Sequence, residues 1–284
     1  MRANKQFINI IEQIEESGNT SQPRDLKVKE ALLQQFEFDP TQPFADFKNR
    51  GFNWKYFAGE LAWYMSKDNN IDYINKFSNF WKGITNPNTN EINSNYGSLL
   101  FGEQLQWVLD SLKSDKNTRQ AIAFFNQPKF QFKGNKDFVC TMYANFFIRD
   151  NQLHMKIQMR SNDIFYGLTF DAPFFALVHQ HVYLWLQDTY PELELGTYFH
   201  AADNIHFYER HFELAEKIKY ESTVGLNNYK FNLEQPLFNI QDGFMKITRQ
   251  GAKLIAAIDH GISKDYKRSN YEKILCEYLN IKLK

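Results

Sequence analysis

The 284 residues are 43% hydrophobic and 17% aromatic, ample for a sizeable core, and 33 basic side chains balance 33 acidic ones, so no global field attracts nucleic acid or an anionic membrane. Cys140 and Cys276 are the only cysteines, which excludes a disulfide framework and a CxxC metal pattern and fits a reducing cytoplasm. The segment after Met1 is too polar and acidic for the apolar core of a signal peptide, and the most apolar long window, Pro173 to Leu186, is broken by His179, Gln180 and His181 and is too short for a bilayer.

A cytoplasmic protein standing on its own core is therefore expected. Phe7, Ile8, Ile11 and Ile14 recur at helical spacing before Gly18, and Phe57, Leu61, Tyr64 and Met65 predict a second helix. The polar stretch between them carries Pro23, Pro40 and Pro43 and predicts loop or short strand rather than long helix. Asn86 to Asn95 reads as an Asn-rich loop, and Phe101, Leu105, Val108 and Leu112 as an amphipathic helix ending near Asp115 to Asn117. The period then changes to two. Ala121, Ala123 and Phe125 alternate with their neighbours, as do Met142, Ala144, Phe146 and Ile148, and then Leu153, Met155, Ile157 and Met159. A turn over Arg149 to Gln152 would make the last two strands a hairpin, with Cys140 at the start of one, Arg160 at the end of the other, and the two side chains near each other. Ala172 to Asp188 and His206 to Ile218 predict two more helices, giving an α+β chain with helices packed on a mixed or antiparallel sheet. No repeat or linker divides residues 1–284, so a single domain is expected.

Residue types alone leave the chemistry open. A lone cysteine among apolar neighbours is ordinarily a core residue, and Arg24, Arg119 and Arg160 are singly ordinary surface residues. His206 and Tyr208 are equally consistent with anchoring the start of a helix, Trp81 with core or interface, and Asp163 with capping a helix or turn. The histidines lack the tight spacing of a site such as HExxH, so no metal is expected. A nucleic-acid-binding module finds no basic cluster or aromatic–basic motif in support.

Several motifs in register change this. Gly59-Glu-Leu-Ala-Trp63, Asp137-Phe-Val-Cys140-Thr141, Met159-Arg-Ser-Asn-Asp163, Gly167-Leu-Thr-Phe-Asp171 and His206-Phe-Tyr208 resemble the thymidylate synthase family in order and spacing from about residue 54 to 215. Within that superfamily, Glu91-Ile-Asn-Ser-Asn-Tyr-Gly97 and the Cys140 and Arg160 motifs look most like the bacteriophage deoxycytidylate hydroxymethylases, with Thr141 where synthases carry His. The resemblance implies the thymidylate synthase fold, a homodimer with a sheet face at its interface, a pyrimidine nucleotide substrate and 5,10-methylenetetrahydrofolate as co-substrate. It assigns Cys140 as nucleophile and Glu60 as the organiser of water and protons. Arg24, Arg119 and Arg160 would grip the phosphate, one of them donated by the other subunit, with Ser161 adding a hydroxyl. His206 and Tyr208 would hold the sugar 3′-hydroxyl, Trp81 would line the folate and base pocket, and Asp163 and Gly167 would lie at the folate.

Asp171 stands where synthases carry Asn, whose carboxamide can accept from uracil N3–H and donate to O4. Cytosine presents a donor at N4 and an acceptor at N3, so a carboxylate matches only the amine of the free base. Once a thiolate has added at C6, N3 can be protonated and the carboxylate can accept from both positions, which binds the adduct better than the substrate. The resemblance thus implies hydroxymethylation of deoxycytidylate. Cytidylate hydroxymethylation, uracil-specific hydroxymethylation or methylation, and a silent nucleotide-binding homologue are the alternatives. Departures from the family pattern are the flanks of Arg24, which lack the synthase Arg-Thr-Gly, Gln120 in place of a second arginine after Arg119, and residues 219–284, which are divergent and end without the synthase's apolar closing tail.

Overall fold

The computed structural model describes residues 1–85, 89–221 and 229–283. Helix α1 (Ala3–Ser17) forms on the predicted stripe, burying Phe7, Ile10, Ile11 and Ile14, and Gly18 ends it in the left-handed region (φ 65°) with its N–H returned to Glu15 O. After β1 (Asn19–Ser21) comes β2 (Val28–Phe38). The expectation of loop or short strand between Pro23 and Pro40 is corrected, because β2 is an eleven-residue strand. Leu33 lies mid-strand at φ 54°, and the buried positions 28, 31, 36 and 38 keep no common phase, so the period-two signature of a strand is lost.

Helix α2 (Trp54–Ser66) is capped by Asn53, whose side chain accepts from Tyr56 N, and is apolar almost all round, as a helix in the middle of a core must be. Residues 89–95 of the expected Asn-rich loop are irregular, and 86–88 lie outside the described residues. Asn95 caps the short α3 (Tyr96–Leu100), and α4 (Glu103–Ser114) buries Leu105, Val108, Leu109 and Leu112 as its spacing predicts.

The hairpin forms as expected. After β3 (Ile122–Phe124), β4 (Thr141–Arg149) and β5 (Gln152–Met159) pair across Asp150 and Asn151, both left-handed, the turn whose twist matches the flanking strands. A bulge between Thr141 and Tyr143 puts Thr141 rather than Met142 inside. The two-residue β6 (Asn162–Asp163) leads through one wide π-type turn, Ile164–Leu168, into α5 (Thr169–Leu186). Helix α5 is the crossover between β5 and β7 (Glu194–Tyr208), which pair in parallel.

The helix expected over His206 to Ile218 begins only at α6 (Phe212–Lys219). His206, Phe207 and Tyr208 instead continue β7, paired antiparallel with β2, so His206 lies within a strand, while Tyr208 ends it and immediately precedes the short 3-10 turn Glu209–His211 that leads into α6. Beyond lie β8 (Tyr229–Phe231), β9 (Phe238–Gln241), β10 (Phe244–Ile247), α7 (Arg249–Ser263), α8 (Arg268–Tyr278) and β11 (Ile281–Leu283); β8 pairs with β11 and β9 with β10.

The main sheet runs β1-β2-β7-β5-β4-β3, with β6 beside β7. It is mixed, and with the helices it makes an α+β fold. Ala144, Phe146, Ile148, Leu153, Met155, Ile157, Tyr198 and His200 point into the helix-covered core. The opposite face carries Phe147, His154 and Phe199, half-buried, with Phe147 stacked on His154 at 5.3 Å and on Phe199 at 6.3 Å.

Candidate active site

The hairpin register sets the centre. Arg160 N donates to Cys140 O at 2.9 Å, and the Arg160 side chain turns back over the loop before β4, its Nε donating to Val139 O at 3.1 Å and its Nη2 to Phe138 O. The same Nη2 lies 3.4 Å from Cys140 Sγ, and the guanidinium stacks 4.9 Å above the Phe138 ring. Burial pushes the Cys140 thiol above its ordinary value, and the Arg160 charge is the foremost influence in the opposite direction. The resting group is thus a thiol poised beside the cation that favours its thiolate.

Asp137 ties this loop to the motif at 91–97. Its Oδ2 accepts from Asn93 N at 2.5 Å and Ser94 N at 2.8 Å, and its Oδ1 from Ser94 Oγ. Thr141 Oγ1 donates to Tyr96 Oη at 2.8 Å, and Tyr96 stacks on Tyr64 at 5.3 Å. Tyr96 therefore lines the site beside Cys140. It falls within a motif quoted from the sequence, but nothing singled it out there.

Glu60 faces this cluster from α2 and accepts from Tyr56 Oη at 2.8 Å. Burial, joined by the nearby Asp171, pushes Glu60 up to about 8 against the opposing Tyr56 hydrogen bond. Burial likewise pushes Asp171 up to about 6, opposed by a 2.7 Å hydrogen bond from Asn162 Nδ2 and reinforced by Asp163. Asp163 also rises to about 6 through burial. Its Oδ1 caps the π-type turn, accepting from Phe165 N and Tyr166 N at 2.6 Å, while its Oδ2 is buried with no hydrogen-bond partner among the described residues. Capping and ligand contact need not compete, since each oxygen can serve one. Gly167 is packed so closely that a Cβ there would lie 2.7 Å from Asn162 Nδ2 and 3.1 Å from Asp171 Oδ2.

At the end of β7, buried His206 shares its Nδ1 with Asn204 Oδ1 at 2.9 Å, and burial pushes its imidazolium down to about 4, so the ring is neutral. Tyr208, with Arg210 over its ring at 4.7 Å, feels the charges of Asp163, Arg24 and Cys140. Arg24, at φ 53° in an exposed turn, also influences Cys140, which places it on the same side. Ser161 follows Arg160 directly and is half-buried. Trp81 is buried against Trp63 at 5.1 Å, on a short turn over Phe80–Gly83. Arg119 is not brought in. It is exposed before β3, where Phe146 N bonds Ala121 O, and strand geometry puts it on the order of 20 Å from Cys140 along the sheet.

Sequence reasoning also missed Asn162, His200 and Tyr198. His200 Nε2 lies 3.2 Å from Asn162 Oδ1, and its Nδ1 lies 2.7 Å from the Tyr198 hydroxyl. Asn162 sits inside a quoted motif, but strand β7 was not anticipated, so no signal led to its partners. Among the described residues there is no group of three or more His, Cys, Asp or Glu that could hold a metal, and no helix long and apolar enough to cross a membrane.

The site thus sets a cysteine beside an arginine, opposite the buried Glu60 and the part-buried Asp171, on a mixed sheet. The chain matches the family model described as thymidylate synthase over residues 5–247, and it belongs to that family. Membership makes it a transferase of one-carbon units to a pyrimidine nucleotide, in a family whose co-substrate is methylenetetrahydrofolate. Among its relatives is deoxycytidylate 5-hydroxymethyltransferase of Enterobacteria phage T4, 30% identical over 175 residues that cover 58% of this chain and 71% of the relative. Thymidylate synthase of Mycoplasma genitalium is 25% identical over 243 residues (74% and 83%), and deoxyuridylate hydroxymethyltransferase of Bacillus phage SP01 is 24% identical over 220 (71% and 56%).

Proposed function

We propose that this chain hydroxymethylates deoxycytidylate at C5. The observation that carries the reading is Asp171, a part-buried carboxyl group within electrostatic reach of Cys140 and Glu60, in place of the carboxamide that suits uracil. Cys140 attacks C6 as the thiolate favoured by Arg160, which makes C5 nucleophilic. Asp171 then accepts from N4–H and the newly protonated N3. Bound 5,10-methylenetetrahydrofolate supplies the one-carbon unit; Asp163 Oδ2, without a hydrogen-bond partner among the described residues, suits a heterocycle rich in N–H donors, and Gly167 and Trp81 complete the folate side of the site. Glu60, near 8, can both give and take a proton at neutral pH, and it orients the water that completes the hydroxymethyl group.

Arg24, Arg160 and Ser161 hold the phosphate, and His206 and Tyr208 hold the sugar. Arg119, remote from Cys140 within one chain, serves the site of a second subunit. The uncovered sheet face with stacked Phe147, His154 and Phe199 is where that subunit packs, and residues 1–284 act as one catalytic domain. Incubation with deoxycytidylate, cytidylate or deoxyuridylate plus methylenetetrahydrofolate, followed by mass spectrometry, tests the reading. Added CH2O on deoxycytidylate is expected; added CH2, or product from deoxyuridylate alone, overturns it.

A further inference from the structure

Asn162 is 3% exposed and its amide is held at both ends, by Asp171 Oδ2 at 2.7 Å from Nδ2 and by His200 Nε2 at 3.2 Å from Oδ1. His200 in turn meets the Tyr198 hydroxyl through Nδ1 at 2.7 Å, and both residues are 0% exposed. Burial pushes the His200 imidazolium down to about 3, so the ring is neutral and carries one N–H. The directions then follow. Tyr198 donates to bare Nδ1, the Nε2–H donates to the amide oxygen, and the amide N–H donates to Asp171. Gly167 is part of the arrangement, because a Cβ there would meet Asn162 Nδ2 at 2.7 Å and Asp171 Oδ2 at 3.1 Å. Two residues of β7 thus lock the one β6 side chain that bonds Asp171 Oδ2, and the turn before α5 closes tightly over that bond, a placement that core packing alone does not require.

We propose that Asn162, locked by His200 and Tyr198, is the positioning residue that makes Asp171 read cytosine: it fixes the carboxyl plane and engages Oδ2 as an acceptor, leaving Oδ1 to receive the exocyclic amine. This rests on the reading of deoxycytidylate as substrate. A uracil O4 brought to the same place faces acceptor lone pairs. Offering that O4 a proton would require Asp171 to be protonated on Oδ1, and the Asn162 hydrogen bond to Oδ2 opposes this by favouring the ionised carboxylate.

The test is kcat/KM for deoxycytidylate and deoxyuridylate across pH 5 to 9 in wild type, Asn162→Ala and Tyr198→Phe, with circular dichroism to confirm folding. The groups that face Asp171 are Tyr56, Glu60 and Tyr64 from α2, Tyr96 from α3, Cys140 before β4, Asp163 from β6 and Tyr198 from β7. Replacing Asn162 removes a donor that favours the Asp171 carboxylate, so the acid limb should move to higher pH. Asn162→Ala should lower kcat/KM for deoxycytidylate by roughly 10- to 100-fold and cut the cytosine-to-uracil preference at least about tenfold, as loss of an orienting partner of a recognition group does. Tyr198→Phe keeps the ring volume, should shift both readouts the same way by less, and decides the matter if the Asn162 variant does not fold. Equal losses on both nucleotides with an unmoved acid limb would mean a structural role and overturn the proposal while leaving the cytosine reading intact. Wild-type product from deoxyuridylate alone would overturn both.

Discussion

Cys140 and Arg160 meet because a two-residue turn folds β4 onto β5 in a register that returns Arg160 N to Cys140 O at 2.9 Å. The charge at 3.4 Å from Sγ has a consequence for reactivity. The thiolate is the reactive form, so the rate of alkylation rises with pH as Cys140 ionises. Losing the Arg160 charge removes the foremost influence against the burial effect, so in Arg160→Gln the midpoint should move to higher pH. Iodoacetamide modification, measured in a Cys276→Ser background because Cys276 is a second free thiol, reads this directly. An unmoved midpoint would deny Arg160 its role in activating the thiol. Cys140→Ser should abolish turnover while nucleotide binding by calorimetry persists, and full activity in that variant would refute nucleophilic catalysis. The Cys140–Arg160 pair was legible in the sequence because a hairpin is a local event with its own period and turn. The Tyr198–His200–Asn162–Asp171 chain was not, since its central link, His200 to Asn162, depends on the pairing of β6 with β7, and the last runs through the wide π-type turn between β6 and α5.

Helix α3 stands so close to α2 that a Cβ on Gly97 would lie 1.7 Å from Tyr64 O, a backbone atom that cannot swing aside. Gly97→Ala must therefore push α3 off α2 and carry Tyr96 away from Thr141 Oγ1, with which it now shares a 2.8 Å hydrogen bond. Overpacking of this kind costs about 1–3 kcal/mol or more, so a thermal midpoint lowered by roughly 5 °C or more, together with reduced turnover, is expected. A variant as stable as wild type would show that this approach is not tight in solution. Elements with one unbroken apolar period, α1, α4, β4 and β5, could be read from sequence. Strand β2 could not, because left-handed Leu33 interrupts its phase, and β7 could not, because the inward-facing Tyr198, His200 and Ala202 carry little of an apolar signature. The C-terminal α7 and α8 bury only a few residues each, Leu254 and Ile258 in one and Tyr271 and Leu275 in the other, a stripe too sparse to stand out.

At the scale of the whole molecule, zero net charge conceals buried acids that tie stability to pH. Glu60 rises from 4.5 to about 8 on folding, so its contribution is fully present below about 4.5 and is lost as pH climbs through about 8. Asp163 and Asp171, raised from 3.8 to about 6, act in the same direction. Wild type should therefore lose stability between pH 5 and 9 by an amount on the order of a few kcal/mol from Glu60 alone. Glu60→Gln cannot ionise, so the thermal midpoint of the variant relative to wild type should rise steadily over that range. A difference independent of pH would mean that Glu60 is not held protonated.

Assembly is the remaining question at this scale, and Arg119 decides it. The residue lies far along the sheet from Cys140 within one chain, yet a phosphate site needs its charge only if another subunit presents it. Arg119→Ala and Cys140→Ser homodimers should each be nearly inactive, for different reasons. In a mixed dimer, the subunit with intact Cys140 receives Arg119 from its neighbour, so one of the two sites is whole. Mixing equal amounts after partial denaturation and refolding should restore about a quarter of wild-type turnover, because half of randomly paired dimers are mixed and each carries one intact site. Light scattering should give twice the 33.7 kDa chain mass. A monomer, or two inactive parents whose mixture stays inactive, would place Arg119 outside the site and leave the stacked aromatic face of the sheet without the subunit assigned to it.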